Sequence, residues 1–311
     1  MKKALITGIS GFVSRYMKEE LEANGYTVKG IDITGSAPEI IKCNLLEPDL
    51  LKQVLNEVEP DVVFHLAGQS SVAKSWKLPV LTFDLNVKGT INLLEAVRTA
   101  CPETKILLVG SSDQYGKIRA EDCPVNEDVP LRPMTPYAIS KCTQEQIGQL
   151  YAFVYKMNIY MTRSFNHIGA GQGKGFVITD IASGIADIEA GLSNKLLVGN
   201  INSQRDFTDV RDIVRAYRLI VEYGYPGTVY NVGSGKAVRV SELLDYLIEM
   251  AYCDIQIETE PSRLRPADIP FIQCDYSKLK KDTGWIPLVD IKKTLKEVLD
   301  YFREQIKHNG Q

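Results

Sequence analysis

Short apolar runs alternate with amphipathic stretches through the first half of the chain. Strand-like apolar runs lie at 3–7, 26–32, 61–66, 105–109 and 159–164. Apolar residues recur at helical spacing over 12–23, 80–100 and 137–157. The last of these helices is predicted to start at Thr135 followed by Pro136. Near-continuous apolar strands that alternate with helices predict a parallel sheet covered by helices on both faces.

The pattern loosens after residue 164. Four glycines between 169 and 175 predict a flexible loop, and the basic, proline-interrupted stretch 261–270 predicts another. Helices are predicted over 177–191, 212–223, 241–251 and 291–306, and a strand over 228–232. Ser241 is predicted to cap the third of these helices. We therefore predict an α/β fold in which 1–165 plus about 209–232 form a doubly wound parallel sheet, and about 166–208 plus 233–311 form a smaller α/β domain.

Composition excludes several classes of protein. Hydrophobic residues make up 44% of the 311 residues, which is enough for a sizeable core and excludes a disordered chain. Since 36 basic residues stand against 39 acidic ones, we expect no nucleic-acid partner held by a basic surface. The first apolar run, 4–6, is too short for a signal peptide, and no stretch approaches the length of a membrane helix. We expect a cytoplasmic protein with no membrane partner.

The cysteines do not form a recognisable framework. They stand at 43, 101, 123, 142, 253 and 274, without a CxxC pair and without a histidine at ligand spacing. This pattern favours reduced thiols and predicts neither disulfides nor a metal site.

The first strand runs into a glycine-containing turn that a helix follows. Gly8 and Gly11 allow a tight turn, and the N–H groups at the start of the helix, from Phe12 and Val13, can approach a pyrophosphate. A strand before and a helix after make this the dinucleotide-binding fingerprint of a Rossmann-type sheet. Ser14 stands at the third glycine position, where a small side chain should crowd the helix against the strand only slightly.

An acid closes the second strand. Asp32 follows Gly11 by 21 residues, where a carboxylate can hold both adenosine ribose hydroxyls and would repel a 2′-phosphate. The sequence thus favours NAD(H) as cofactor and leaves NADP(H) possible. Asn44 and Leu45, after the third strand, are predicted to contact the adenine.

Tyr137 and Lys141 place a phenol and an ammonium four residues apart on one helical face. A lysine beside the phenol would favour the phenolate, so the tyrosine can exchange a proton near neutral pH. Ser111 and Ser112 follow the strand 105–109, at the edge of the sheet where α/β proteins bind ligands, and a hydroxyl there can steady a substrate alkoxide. These residues predict a catalytic site.

The combination resembles the extended short-chain dehydrogenase/reductases that act on nucleotide sugars, over nearly the whole chain. The resemblance implies that Tyr137 is the general acid/base, that Lys141 binds the nicotinamide ribose and lowers the tyrosine pKa, and that Ser111 holds the reacting oxygen with Ser112 beside it. It also implies a cofactor-lining segment after the strand 61–66 and an asparagine that supports the site. These residues are Leu66, Ala67, Gly68 and Asn86.

The reaction is narrowed by two further segments. Asp113 falls where dehydratases of this family carry a glutamate that removes the C5 proton, and it is one carbon shorter; a plain polar loop residue is the alternative. The Phe-Asn-His element at 165–167 and the glycine-rich loop after it resemble the GDP-4-keto-6-deoxy-D-mannose reductases. GDP-mannose 4,6-dehydratases share the Phe-Asn-His element, so it narrows the nucleotide more than the reaction.

Substrate contacts are expected in the later half of the chain. Arg205 and Arg265 suit a diphosphate, because a guanidinium pairs with phosphate oxygens bidentately, although either alone can be a surface ion pair. Asn166 can hold sugar or phosphate oxygens, Asp268 can accept from guanine or ribose, and the resemblance adds Val177.

The resemblance implies reduction by NAD(P)H of the C4 ketone of GDP-4-keto-6-deoxy-D-mannose to GDP-D-rhamnose, with attack on the other face giving the talose epimer. A UDP- or dTDP-hexose 4-epimerase and a GDP-mannose 4,6-dehydratase stay as alternatives. A nucleotide-sensing binding protein would not need Tyr137 and Lys141. A homodimer through the helices 80–100 and 137–157 is also expected, as in relatives.

Overall fold

The computed structural model describes residues 2–263 and 270–309, which form strands and helices in close alternation. The strands are β1 Lys2–Thr7, β2 Tyr26–Asp32, β3 Ile40–Lys42, β4 Val62–His65, β5 Lys105–Ser111, β6 Ile159–Ser164, β7 Asn166–Ile168, β8 Leu196–Val198, β9 Gln204–Asp209, β10 Val229–Val232, β11 Ala237–Arg239 and β12 Ile257–Thr259. The α-helices are α1 Phe12–Ala23, α2 Pro48–Val58, α3 Val72–Lys77, α4 Pro79–Phe83, α5 Gly89–Ala100, α6 Pro136–Tyr155, α7 Val177–Glu189, α8 Val210–Tyr223, α9 Val240–Glu249, α10 Ser277–Thr283 and α11 Ile291–Asn309.

Within these residues, seven strands form one parallel sheet in the order β10-β6-β5-β4-β1-β2-β3. The order reverses between β1 and β4, because the chain builds outward from β1 to β3 and then restarts at β4. Ligands of open α/β sheets bind beyond the carboxyl ends of the strands at such a reversal. The predicted α/β class with a doubly wound parallel sheet is confirmed.

The sheet is buried on both faces, as its apolar strands predicted. On one face α1 and α8 cover a core that includes Met17, Leu21 and Tyr217. On the other face α2 and α5 cover a second core that includes Leu51 and Leu93. Strands buried on both sides need no polar alternation, which explains their continuous apolar runs.

A third apolar core lies beside the sheet. In the described part of the chain, β9 pairs in parallel with β7 and antiparallel with β11, while β12 pairs with β8. Helices α7, α9 and α11 surround these short strands and bury Ile181, Leu243 and Val298 among others. Strand β7 follows β6 of the large sheet after one residue, and β9 leads directly into α8, so the third core adjoins the sheet.

Several boundaries differ from the sequence prediction. The predicted helix 80–100 is α4 and α5 joined by a π-helical turn, Asp84–Lys88, which a 3.6-residue pattern does not reveal. Helix α9 begins at Val240, and Ser241 is not its cap, because the capping position belongs to Arg239. Helix α8 begins two residues early, since the Asp209 carboxylate accepts from the Arg211 N–H at 2.7 Å. The predicted cap of α6 is confirmed: the Thr135 hydroxyl accepts from the Ala138 N–H at 3.0 Å.

Among the helices of residues 2–263 and 270–309, none is both long and apolar enough to cross a bilayer.

Candidate active site

The turn after β1 is built for close approach of a ligand to backbone. Gly8 has a φ of +71° and a Cβ there would lie 2.9 Å from the Cα of Ala67, so only glycine fits. Gly11 precedes the first turn of α1, whose N–H groups come from Phe12 and Val13. Ser14 does more than crowd the turn, because its buried hydroxyl donates to the Gly8 carbonyl at 2.7 Å. This hydrogen bond stabilises the turn between β1 and α1.

The end of β2 reaches the same turn. The Asp32 carboxylate accepts from the Ser10 N–H at 3.0 Å, so the acid predicted to hold the ribose also orders the glycine loop. Asn44 accepts from the Leu46 N–H at 3.0 Å. Leu45 is a core residue with 7% exposure, and its side chain packs toward Gly89. The side chain of Leu45 is thus committed to the core, whichever group its backbone faces.

Asn86 joins the loop after β4 to helix α6. Its Oδ1 accepts from the Gln69 N–H at 2.7 Å, and its Nδ2 donates to the Gln69 carbonyl and to the Ser140 hydroxyl at 3.0 and 2.9 Å. A Cβ at Gly68 would lie 2.7 Å from Oδ1, so the asparagine needs glycine beside it. Asn86, in the π-helical turn, thereby links Gln69, which directly follows the segment Leu66–Gly68, to α6.

A directed chain of hydrogen bonds runs beneath this loop. The Thr90 hydroxyl donates to the Asn86 carbonyl at 2.7 Å, so its oxygen accepts from His65 Nε2, 3.0 Å away. The other ring nitrogen, Nδ1, then accepts from the Thr7 hydroxyl at 2.8 Å. Burial lowers the pKa of His65 to about 3, which keeps the ring neutral. Thr7 also accepts from the Ala67 N–H, so this chain sets the position of the predicted cofactor-lining segment.

Helix α6 and the end of β5 bring the predicted catalytic residues together. The Ser111 hydroxyl lies close enough to the phenol of Tyr137 to lower its pKa by hydrogen bonding, and Tyr137 is only 8% exposed. The Ser111 hydroxyl also accepts from the Asp113 N–H at 3.2 Å, in the 3₁₀ turn Ser112–Tyr115. Ser112 is buried in that turn. A hydroxyl and a phenol in contact can both bond one substrate oxygen.

The electrostatics of this pair differ from the sequence prediction. The pKa of Tyr137 is raised, chiefly by burial and also by the Asp113 carboxylate, and the Ser111 hydrogen bond opposes the rise only in part. The Lys141 ammonium donates to the Val109 carbonyl at 2.8 Å and to Gln144 Oε1 at 2.9 Å. Since the ammonium is directed at these oxygens, the prediction that it favours the phenolate is wrong for this structure. Burial lowers the pKa of Lys141 to about 8.

The predicted substrate residues lie in the second group of strands. Asn166 pairs with Phe207 across β7 and β9, so Arg205, two residues earlier on β9, lies on the same face of that sheet as Asn166. Arg205 donates to the Gln204 carbonyl at 2.9 Å. Val177 is the first residue of α7. Arg265 and Asp268 lie outside the described residues.

One further residue was not predicted. Within residues 2–263 and 270–309, Oε1 of Gln172 is buried without a hydrogen-bond partner. Its Nε2 donates to the His167 carbonyl at 3.2 Å, which places it in the glycine-rich loop between β7 and α7. An orphaned buried oxygen beside a loop of this kind indicates a place for a hydrogen-bond donor from a ligand.

The buried ammonium of Lys141 gives a stability prediction. We expect Lys141→Met to raise the free energy of unfolding by about 2 kcal/mol at pH 7, because the substitution removes the cost of burying a charge, while the lost hydrogen bonds offset part of the gain. The unfolded lysine titrates near 10.5 and the folded one near 8. Between these values the unfolded chain binds more protons, so the wild type becomes more stable with rising pH and the difference shrinks. Urea unfolding at pH 7 and pH 10 measures it. Exposed Lys52→Met is the control, and a difference independent of pH would contradict the assignment.

Comparison with known proteins agrees with this geometry. The family model described as GDP-mannose 4,6 dehydratase matches residues 5–298. The chain is 34% identical to GDP-6-deoxy-D-mannose reductase of Pseudomonas aeruginosa, covering 98% of this chain and 99% of that protein. It is 30% identical to GDP-mannose 4,6 dehydratase 2 of Arabidopsis thaliana, covering 96% and 86%.

Solved structures share the fold over the full length. RMD from Pseudomonas aeruginosa complexed with NADPH has a TM-score of 0.89 at 33% identity, covering 98% of this chain and 100% of that one. UDP-glucose 4-epimerase of Thermotoga maritima with UDP-glucose has a TM-score of 0.89 at 26% identity, covering 98% and 99%. The resemblance inferred from the motifs is confirmed, and the chain belongs to the GDP-mannose 4,6-dehydratase family of extended short-chain dehydrogenase/reductases.

Proposed function

We propose that this protein reduces the C4 ketone of GDP-4-keto-6-deoxy-D-mannose with a reduced nicotinamide cofactor and forms GDP-D-rhamnose. The observation that carries this proposal is the 34% identity, over nearly the full length of both chains, to a GDP-6-deoxy-D-mannose reductase. The contact between Ser111 and Tyr137 supports it, because a ketone oxygen needs a hydrogen-bond donor and a proton source at one place.

The proposed chemistry follows from the protonation states. A phenol with a raised pKa is protonated at neutral pH, so Tyr137 is suited to donate a proton to the oxygen that becomes the C4 hydroxyl. Ser111 holds that oxygen while charge develops on it. The cofactor, when bound, supplies the hydride to C4. Lys141 binds the nicotinamide ribose through its ammonium and stays close to the tyrosine on the same helix.

The turn after β1 and the loop after β4 would hold the cofactor. Backbone groups of Gly8–Val13 fit a pyrophosphate, and Leu66–Gly68 with Asn86 would border the nicotinamide side. Asp32 supports NAD(H), because a carboxylate bonds the ribose hydroxyls and repels a 2′-phosphate. The NADPH complex of a 33% identical protein supports NADP(H). We infer that NADH is preferred and NADPH is also used.

We propose that residues 1–165 plus about 209–232 bind the cofactor and that the remaining residues bind the nucleotide sugar. Asn166 and Arg205 share one face of the β7–β9 pair, which suits sugar and diphosphate oxygens. Val177 at the start of α7, with Arg265 and Asp268, completes the proposed substrate contacts. Gln172 Oε1 adds an acceptor for a donor group of the ligand.

A dehydratase is the second candidate. The family model that the chain matches is that of GDP-mannose 4,6 dehydratase, and the Asp113 charge acts on Tyr137. A carboxylate at this place can remove the C5 proton while the phenol holds the C4 oxygen. A dehydratase would act on GDP-mannose without net consumption of cofactor, and so would a 4-epimerase on UDP- or dTDP-hexoses.

The first expected result is selective oxidation of reduced nicotinamide. Purified protein is mixed with NADH or NADPH and a panel of GDP-, UDP- and dTDP-linked 4-keto-6-deoxy sugars, and absorbance at 340 nm is followed. We expect oxidation with the GDP-linked ketone, faster with NADH, and a rhamno product by NMR. If no ketone supports oxidation of the cofactor and GDP-mannose is converted, the protein is a dehydratase and not a reductase.

The role of Tyr137 gives a further prediction. Tyr137→Phe should lower kcat by about 100- to 10,000-fold, the range for loss of a general acid, and leave the Kd of the cofactor within about twofold. Cofactor fluorescence titration and the ketone assay measure the two quantities. Exposed Tyr223→Phe is the matched control. Wild-type turnover in Tyr137→Phe would remove the tyrosine from the mechanism.

The exposed apolar face of α4 and α6 supports a homodimer. Val80 is 74% exposed on α4, and Phe153 is 74% exposed on α6 with Ile139, Leu150 and Val154 on the same side of the helix. Helices α4 and α6 pack against each other, and exposed apolar side chains on both of them suit contact with a second copy of the chain.

We expect the wild-type protein to have the mass of a dimer by light scattering and Phe153→Asp to have the mass of a monomer. A buried carboxylate at the centre of an apolar interface costs several kcal/mol, which explains the expected change. Tyr223→Asp, at an exposed site on α8, should leave the dimer intact. A monomeric wild type at micromolar concentration would end the proposal.

A further inference from the structure

A buried ion pair joins α6 to the sheet two helical turns beyond Tyr137. Arg163 on β6 donates from Nε and Nη2 to the two carboxylate oxygens of Glu145 on α6, at 2.9 and 2.7 Å. The two side chains are 7% and 5% exposed. A bidentate pair of this kind fixes both distance and orientation, because two parallel hydrogen bonds must be kept together.

Gln114 connects this pair to the strand end that carries Ser111. Its Oε1 accepts from the Ser111 N–H at 2.8 Å, and its Nε2 donates to Glu145 Oε2 at 2.7 Å. The side chain is completely buried. A Cβ at Gly110 would lie 2.4 Å from Gln114 Oε1 and 2.3 Å from the Thr162 carbonyl, so the amide lies directly on the backbone of β5. Glycine at 110 is the condition for this approach.

The same arginine holds the other end of the 3₁₀ turn. Arg163 Nη1 donates to the Tyr115 hydroxyl at 3.0 Å and to the Glu127 carbonyl at 2.9 Å. The Tyr115 hydroxyl donates to Asn231 Oδ1 at 2.7 Å. The turn that begins after Ser111 is therefore anchored at Gln114 and at Tyr115 to a single ion pair.

Ser111 and Tyr137 belong to different elements, β5 and α6, and their contact requires that these elements keep a fixed separation. Glu145 lies on α6, and Gln114 ties it to the backbone of Ser111 itself. We propose that Gln114 is a positioning residue. It couples Ser111 to the Glu145–Arg163 pair and so sets the distance between Ser111 and Tyr137 at which the ketone is reduced. The kinetic part of this inference rests on the proposed function.

Glutamine suits this position because its side chain carries both a hydrogen-bond donor and an acceptor. Its amide accepts from the Ser111 N–H and donates to the Glu145 carboxylate at the same time. An ionised carboxylate can only accept and would face Glu145 with like charge, whereas a protonated carboxyl can do both. Gln114→Glu therefore makes the link depend on pH, with almost no change in shape.

The experiment compares Gln114→Glu and Gln114→Met with exposed Gln53→Glu on α2 as the control. The charged or titratable groups that surround position 114 are Lys141, Cys142 and Glu145 of α6, Arg163 of β6, and Asp113 and Tyr115 of the turn. These groups are the same in all variants, so each pH profile is divided by that of the wild type. The introduced carboxyl titrates above its usual range because of burial and Glu145.

At pH 8 both variants should lose about 10- to 100-fold in kcat, with KM and the cofactor Kd within twofold, because a displaced hydroxyl affects the reacting oxygen and not ground-state binding. Relative to wild type, kcat of Gln114→Glu should recover as the pH falls through the raised pKa of the new carboxyl. Gln114→Met, which can neither donate nor accept there, should show no recovery. Gln53→Glu should match the wild type throughout.

Wild-type kcat in Gln114→Glu at pH 8 would overturn the proposal. So would a fall in kcat that does not recover at low pH and is accompanied by an equal rise in the cofactor Kd. Thermal unfolding tests the coupling between Gln114 and Glu145 without relying on the proposed reaction. The melting temperature of Gln114→Glu should equal that of the wild type at low pH and fall below it as the pH rises, because an acid with a raised folded pKa loses stability on ionisation. If no ketone is reduced by the wild type, this difference still decides whether Gln114 couples to Glu145, and its absence overturns the coupling.

Discussion

Helix α6 buries a row of polar side chains against the sheet, and the need to satisfy each of them determines where the neighbouring elements lie. Ser140 takes its partner from the π-helical turn, Lys141 from the end of β5, and Glu145 from β6. A buried polar group without a partner costs about 1–3 kcal/mol, and breaking a buried ion pair costs about 3–5 kcal/mol. The helix is thus held in one position by hydrogen bonds as well as by apolar packing.

This constraint also sets the chemistry. Burial raises the pKa of Tyr137, which keeps the phenol neutral, and lowers the pKa of Lys141 to about 8, which leaves it an ammonium at neutral pH. A neutral phenol is a proton donor, and the low-dielectric surroundings strengthen its hydrogen bond to Ser111. The burial of α6 against the sheet therefore keeps Tyr137 in the protonated form that reduction of a ketone requires.

The sequence predicted the elements whose signal is local. Strands β2 and β6 and helix α1 have the predicted bounds, because continuous apolar runs and 3.6-residue spacing are properties of the segment itself. The three-residue strands β7, β8 and β11 were not predicted, since they exist only through pairing with distant residues. The π-helical turn was not predicted, because one extra residue in a helix does not change the hydrophobic periodicity enough to be seen.

The candidate site divides in the same way. Spacing placed Tyr137 and Lys141 on one face of a helix, but spacing gives proximity and not direction, and the ammonium turned out to face the Val109 carbonyl. Gln114 carried no signal, because its importance comes from Glu145, 31 residues away, and from the bare backbone of Gly110. The groups for proton transfer come from β5 and α6, whereas Asn166 and Arg205 come from β7 and β9. Because the two sets stand on different elements, residues that would contact the sugar can differ while the groups for proton transfer keep their places.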